Sequence, residues 1–295
     1  MDNELLLFDR LEVIKTTIQT YGEENFYISF SGGKDSTVVH HLVDMALPDN
    51  KIPRVFINTG IEYNEIVKFV KKMAENDERF VLIKPSKPIK ETLEKYGYPF
   101  KSKDHAKKVW YYQQHGIIPE YYLSYMTKDS KFHCPDILQY QFTNECTLKI
   151  SHWCCQELKK NPVKSWQKEN DVRIAITGLR ATEGGNRVNS RCILSDKKGQ
   201  VKQFNPLLKV NDEWEEWFIQ EYNIELCSLY YEPYNFVRTG CKGCPFSLNL
   251  QNDLETMERY FPAERKQCEI IWKPVYDEYR RVGYRLKKDE QLKLF

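Results

Sequence analysis

Apolar positions along this chain follow two periods. Leu5, Leu6, Phe8, Leu11, Ile14 and Ile18 recur at helical spacing and predict a leading helix over residues 4–20. An unbroken apolar run at 26–30 predicts a buried strand, and Val38, Val39, Leu42, Val43 and Ala46 then share one face of a helix. The alternation repeats with a strand at 54–57, a helix burying Ile66, Phe69, Val70 and Met73, and a strand at 80–83. A further strand is expected at 172–176. Strands alternating with helices predict an α/β fold, a Rossmann-like parallel sheet flanked by helices, with ligands at the carboxyl ends of the strands. Residues 147–158 read as a helix ending near Asn161-Pro162, and 201–208 as an extended piece. Residues 211–222 read as an amphipathic helix behind the N-cap Asn211, and 254–286 as a helical, cysteine-bearing C-terminal part whose last residues, 287–295, fray. Taken in order, this gives an N-terminal helix (1–24), a nucleotide-binding α/β domain (25–239) and a Cys-x-x-Cys turn with C-terminal helices (240–295).

The segment from about 84 to 145 breaks the pattern as an insert. Lys84, Lys87, Lys90, Lys95, Lys101, Lys103, Lys107 and Lys108 are interleaved there with Tyr96, Tyr98, Phe100, Trp110, Tyr111 and Tyr112. Basic residues among aromatics can grip a nucleotide or a single-stranded nucleic acid, and equally form a solvated helical face with an aromatic underside. Overall charge does not decide between them, since 44 Lys and Arg balance 42 Asp and Glu. No run approaches the ~20 apolar residues of a membrane span, and Met1-Asp2-Asn3-Glu4 lacks a basic leader. A cytoplasmic protein without a membrane partner is expected.

The chemistry concentrates in three places. Ser31-Gly32-Gly33-Lys34-Asp35-Ser36 turns the first strand into a helix. Backbone N–H groups at a helix start, two glycines that let backbone approach a ligand, two hydroxyls and a lysine make a phosphate cradle. The spacing is not that of a Walker A loop. After the strand at 172–176, Gly178 and Arg180 open a loop that runs through Gly184, Gly185 and Asn186 to Arg187 and Arg191, arginine forks suited to phosphate or sulfate. Nine cysteines are more than casual use in a reducing compartment. Cys241-x-x-Cys244 could be a redox dithiol or half a metal site, with Cys154-Cys155 as the other half. Two thiolate pairs suit zinc or a [4Fe–4S] cluster, and spacing alone favours zinc held by one of the adjacent thiols plus His152.

Taken together, these residues resemble a known family. Ser31-Gly32-Gly33-Lys34-Asp35-Ser36 looks like the pyrophosphatase loop of the adenine-nucleotide α-hydrolase superfamily. Asn58-Thr59-Gly60-x-Glu62, Gly178-Leu179-Arg180 with Arg187, and Asn205-Pro206-Leu207 are similar to the phosphoadenosine phosphosulfate (PAPS) reductase family within it, over roughly residues 20–250. The resemblance implies that Cys154, Cys155, Cys241 and Cys244 hold a [4Fe–4S] cluster, as in the adenylyl-sulfate reductase branch. It also implies that Ser31 to Ser36, Thr59, Gly60, Glu62, Gly178 and Arg187 bind the nucleotide, with Lys34, Asp35 and Arg180 catalytic and Asp35 the Mg²⁺ ligand. Three departures bear on the activity. No Glu-Cys-Gly-(Leu/Ile)-His motif is present, Cys268 lying instead in Lys266-Gln267-Cys268-Glu269; the hexapeptide keeps the form of members that cleave ATP; and Asn58 stands where Asp is usual. The expectation drawn is an iron–sulfur enzyme that cleaves ATP to AMP and pyrophosphate, adenylating a substrate for sulfur transfer, with Lys101 and Lys103 beside the second substrate. Its partners would be an adenine nucleotide, and a sulfur donor or a nucleic acid; a homodimer stays open. The alternatives are a sulfonucleotide reductase that releases sulfite from adenylyl sulfate or PAPS, using Cys268 or an external thiol, and a non-catalytic nucleotide- or nucleic-acid-binding regulatory module.

Overall fold

The computed structural model describes residues 2–128, 133–184 and 187–288. Gly185 and Asn186 of the arginine loop, and residues 289–295 of the expected frayed end, lie outside them. The chain groups into two compact units: Met1–Asn58, Glu62–Lys84 and Pro162–Gly240, and Thr59–Ile61, Pro85–Asn161 and Cys241–Phe295. The basic-aromatic insert thus shares a unit with the Cys-x-x-Cys turn and the C-terminal helices.

The first unit is a six-stranded sheet with helices on it. Its strands are β1 (Phe26–Ser29), β2 (Arg54–Ile57), β3 (Phe80–Ile83), β4 (Ile174–Ile176), β5 (Ile193–Ser195) and β6 (Val201–Phe204), in the order β3-β2-β1-β4-β6-β5. All neighbours pair in parallel except β5, which runs antiparallel to β6. The periodicity did not single out β5. It is a three-residue edge strand with no fully buried side chain, so it leaves little apolar signal. The helices α1 (Asn3–Tyr21), α2 (Lys34–Ala46) and α3 (Asn64–Asn76) form where predicted, although Leu5 and Phe8 of α1 are exposed and Met73 of α3 is only half-buried.

The expected helix at 147–158 is placed differently. Helical backbone starts at Cys154, passes through a π-turn at Gln156–Lys160 and continues as α7 (Asn161–Glu169), straight through Pro162. Proline lacks an N–H and crowds the carbonyl four residues back, and the wider π-turn accommodates both. On the sheet, Trp166 of α7 packs with Tyr27, Val55 and Val172, its ring edge-on to Tyr27 at 5.5 Å. A buried charge network fastens β2 to α2: Arg54, fully buried, donates to His40 Nδ1 (3.0 Å) and Asn50 Oδ1 (2.9 Å) and pairs with Asp44, which Arg79 also holds at 2.8 Å.

The second unit is helical. It contains α4 (Ile89–Tyr96), α5 (Lys103–His115) and α6 (Glu120–Met126), with α8 (Asp212–Glu221) belonging to the first unit and α9 (Leu250–Tyr260) and α10 (Pro262–Val282) completing the second. The expected helical tail is therefore two helices, separated at Phe261 just before Pro262. Part of the insert's aromatic content is core, with Phe100, Tyr125 and Phe142 buried while Tyr96, Tyr98, Trp110, Tyr111 and Tyr112 are half-buried: Phe100 lies 4.4 Å from Tyr279, and His105 bridges Tyr125 (2.8 Å) and Gln141 (2.6 Å). No helix of the described residues is long and apolar enough to cross a membrane.

Candidate functional site

The sheet order reverses at β1: the chain builds outward to β2 and β3, then returns to place β4 on β1's other side. In open parallel sheets, ligands bind beyond the carboxyl ends of the strands at such a reversal. The segments leaving β1 and β4 are the 31–36 loop and the stretch 177–180. Two glycines set the loop's path. Gly32 has φ +71°, and a Cβ there would meet Ile66 at 2.9 Å, so neither the conformation nor the packing admits a side chain. A Cβ at Gly178 would meet the Asp35 backbone at 2.8 Å, so the second strand's exit lies directly against the start of α2.

The loop is closed on itself. Ser36 Oγ donates to the Gly33 carbonyl (2.9 Å) and accepts from Ser31 N–H (3.2 Å), while Gly33 N–H donates to Ser31 Oγ (3.2 Å). The Lys34 amide, first in α2, donates to the hydroxyl of Tyr230 (3.0 Å), which also pairs with Thr239 Oγ1 at 2.8 Å. Charged side chains surround this turn. Arg180 Nε donates to Asp35 Oδ1 (2.7 Å), Nη1 bonds Asp212, and Nη2 lies 3.3 Å from Glu215, whose other cationic neighbour is Lys34 Nζ at 3.0 Å. Asp212 and Glu215 stand three residues apart on α8 and so share one face. Burial, and then the Asp35 charge, push the Glu215 carboxyl up to about 7 against the pull of Arg180 and Lys34. The Arg180 hydrogen bond holds Asp212 below its ordinary value. A cavity of about 310 Å³ opens here, with Ser31, Gly33, Lys34, Asp35, Arg180, Asp212, Tyr230 and Arg238 among its lining.

The structure thus brings together Ser31, Gly32, Gly33, Lys34, Asp35, Ser36, Gly178 and Arg180. Arg187 lies further along, in a turn where its N–H donates to the Gly184 carbonyl (3.3 Å). Glu62 is buried in the first unit, and Thr59 and Gly60 group with the second. Sequence reading missed Asp212, Glu215, Tyr230 and Arg238. The signal within reach was the acidic set Asp212, Glu215 and Glu216 at i, i+3 and i+4 on one face of a helix whose other positions carry Trp214 and Phe218.

Cys154, Cys155, Cys241 and Cys244 all belong to the second unit. Their thiols sense one another. A hydrogen bond from Cys154 is the main cause that holds Cys155 down to about 6, with Lys103, Lys159 and Lys160 helping, and the same bond raises Cys154. Burial, then the charge of Cys241, push Cys244 up to about 12. Four mutually repelling sulfurs suit a bound cationic centre. Among the described residues, the set of possible ligand atoms within 4.8 Å of one another is instead His40, Asp44 and Asp77, already neutralised by Arg54 and Arg79. A single ion would draw its ligands that close; a cluster, where each thiolate binds its own iron, need not. His152, the alternative zinc ligand, is wedged against Trp110 and Trp153, its Nδ1 unpaired among the described residues.

The Cys241–Cys244 turn is held from behind by α10. Trp272 Nε1 donates to the Lys242 carbonyl (3.2 Å), Tyr276 Oη to Gly243 O, and Tyr279 Oη to Pro245 O (2.8 Å). Lys242 itself is buried and paired with Glu264 at 2.9 Å. Cys268 is fully buried, its Sγ 2.8 Å from where a Gly243 Cβ would sit, and burial pushes it up to about 12. Its thiol is closed in by the packing of α10 on the turn. Lys101 is half-buried with Nζ on Tyr125 Oη (3.1 Å), whereas Lys103 is exposed.

A profile of the phosphoadenosine phosphosulfate reductase domain matches residues 25–115 and 124–247. An uncharacterised protein of Methanocaldococcus jannaschii is 26% identical over 91% of the chain, which spans about half (53%) of that protein. Adenosine 5′-phosphosulfate reductase 2 of Bacillus subtilis is 23% identical, over 89% of each chain. Among solved structures, the Candida auris PAPS reductase in its phosphate complex aligns with 75% of this chain and 82% of its own, at 17% identity and a TM-score of 0.45.

Proposed function

The chain belongs to the phosphoadenosine phosphosulfate reductase domain family, within the adenine-nucleotide α-hydrolase superfamily, and from that premise we propose that it is a sulfonucleotide reductase releasing sulfite from adenylyl sulfate or PAPS. The observation that carries this reading is the convergence of the α2 N-terminus, Lys34 and Arg180 on one cavity. Such a site binds the phosphosulfate end of the nucleotide and stabilises the charge left on AMP as it departs. An attacking thiolate bonds to the sulfate sulfur and breaks its bond to the bridging oxygen, so AMP (from adenylyl sulfate) or adenosine 3′,5′-bisphosphate (from PAPS) leaves with that electron pair. A second thiol then forms a disulfide and releases sulfite. With Cys268 buried, an external dithiol supplies the two electrons. Cys154, Cys155, Cys241 and Cys244 would hold a [4Fe–4S] cluster, which when bound would supply a compact charged centre.

A second reading, cleavage of ATP to AMP and pyrophosphate with adenylation of an acceptor such as a nucleic acid, is favoured by one observation. Asp35 and Asp212 line the same cavity, a pair of carboxylates suited to Mg²⁺ beside a triphosphate. The two readings separate in one assay. With adenosine 5′-phosphosulfate and dithiothreitol, the first expects sulfite and AMP in equal amounts, and a loss of about 100-fold or more in Lys34→Ala. Absence of sulfite from adenylyl sulfate and from PAPS, together with AMP and pyrophosphate from ATP and Mg²⁺, would replace it by the second.

A further inference from the structure

Glu215 is an anomaly of the first unit. Its side chain has no solvent exposure, yet among the described residues neither carboxylate oxygen makes an aligned hydrogen bond. Its close partners are two cations, Lys34 Nζ at 3.0 Å and Arg180 Nη2 at 3.3 Å. A buried ion pair is by itself weak evidence of a stabilising role, because desolvation offsets its attraction. Glu215 does not line the cavity, whereas Asp212 on the same helix face does. Any role in binding must therefore act through the residues it touches.

We propose that Glu215 is a positioning residue of the phosphate site, an internal counter-anion that keeps the Lys34 and Arg180 side chains together in the orientation in which they meet a bound phosphate. The two cations repel each other, and both could otherwise turn outward to solvent. Arg180 is fixed on three sides, by Asp35 at Nε, Asp212 at Nη1 and Glu215 at Nη2, and Glu215 alone of these acids also reaches Lys34 among the ion pairs described. The charged groups facing it are Lys34 and Asp35 of α2 and Arg180 of the loop after β4. The inference rests on the reading of the 31–36 loop as a phosphate site.

The sign of one measurement separates positioning from plain electrostatics. Removing a carboxylate near an anion site should by charge alone tighten anion binding; loss of positioning should weaken it. Inorganic pyrophosphate is titrated calorimetrically into the full chain and its variants at pH 8, where the Glu215 carboxyl, raised to about 7, is ionised. Glu215→Gln, nearly isosteric, is expected to weaken binding tenfold or more. Glu216→Gln, which removes an exposed carboxylate on the cavity wall, is expected to tighten it up to a few-fold. Should Glu215→Gln fail to fold, Lys34→Gln/Glu215→Gln removes both ends of the buried pair and is compared with Lys34→Gln; the double variant is expected to bind more weakly, because Arg180 is released. Equal or tighter binding in either comparison overturns the proposal while leaving the phosphate site standing. No pyrophosphate binding by the parent chain overturns the phosphate-site reading and this inference with it.

Discussion

Tyr230 puts its hydroxyl 3.0 Å from the Lys34 amide, where an oxygen of a bound phosphate would be expected. One N–H serves one strong acceptor, so the tyrosine and the ligand compete. Tyr230→Phe should tighten pyrophosphate binding about three- to tenfold, the worth of one exchanged hydrogen bond. Calorimetry showing weaker binding would mean that the hydroxyl donates to the ligand instead. Gly32 carries a conformational constraint of another kind: Gly32→Ala imposes φ +71° on an L-residue and a contact with Ile66, and should cost roughly 1–3 kcal/mol in urea denaturation. Glu215 adds a pH dependence. Its carboxyl is raised from 4.5 to about 7, so between those values the folded chain holds a proton that the unfolded chain has released. Stability therefore falls as pH rises through that window, by up to about 1.4 kcal/mol per unit from this group. Glu215→Gln should flatten that slope between pH 5 and 8, and an unchanged slope would remove the assignment. At this scale the sequence discloses the six consecutive loop residues but not Tyr230 or Glu215, because burial and partnership across some 180–200 residues leave no local pattern.

Elements whose burial is one-sided were legible, and those whose shape depends on partners were not. α2 and α3 bury apolar stripes and so declare themselves, while β5 is too short and too exposed to do so. Pro162 reads as a helix stop because a regular helix cannot absorb it, and only the π-turn at Gln156–Lys160 lets the helix pass. That turn begins directly after Cys155, so the thiol pair sits at the helical start and the irregular backbone follows it. The Cys241–Cys244 turn depends just as much on a distant element, since aromatic donors from α10 satisfy its carbonyls. Tyr276 is fully buried, and Tyr276→Phe strands the Gly243 carbonyl without its donor. The expected loss is about 1–3 kcal/mol of stability, read from chemical denaturation. A loss near zero would show that the turn satisfies itself.

At the scale of the whole molecule, the strand–helix alternation fixes the class of fold, yet it cannot show that the chain leaves one compact unit at Lys84 and returns at Pro162. Composition is read in order, whereas contacts are not, and nothing local to Phe100 shows that its ring meets Tyr279 of α10. The same non-local packing gathers Cys154 and Cys155 with Cys241 and Cys244 in the second unit. A metal group bound by both pairs would tie two remote stretches of that unit together, and the constraint on the unfolded chain grows with the length of the closed loop. Anaerobically isolated protein should accordingly contain about four irons and four labile sulfides per chain. Cys241→Ser should lower both counts sharply and destabilise a helical unfolding transition. Phosphate binding gives no such readout, so the test stands apart from those of the loop. Full iron retention in Cys241→Ser would break the four-thiol assignment, and zinc in place of iron would return the site to the simpler chemistry that cysteine spacing alone suggested.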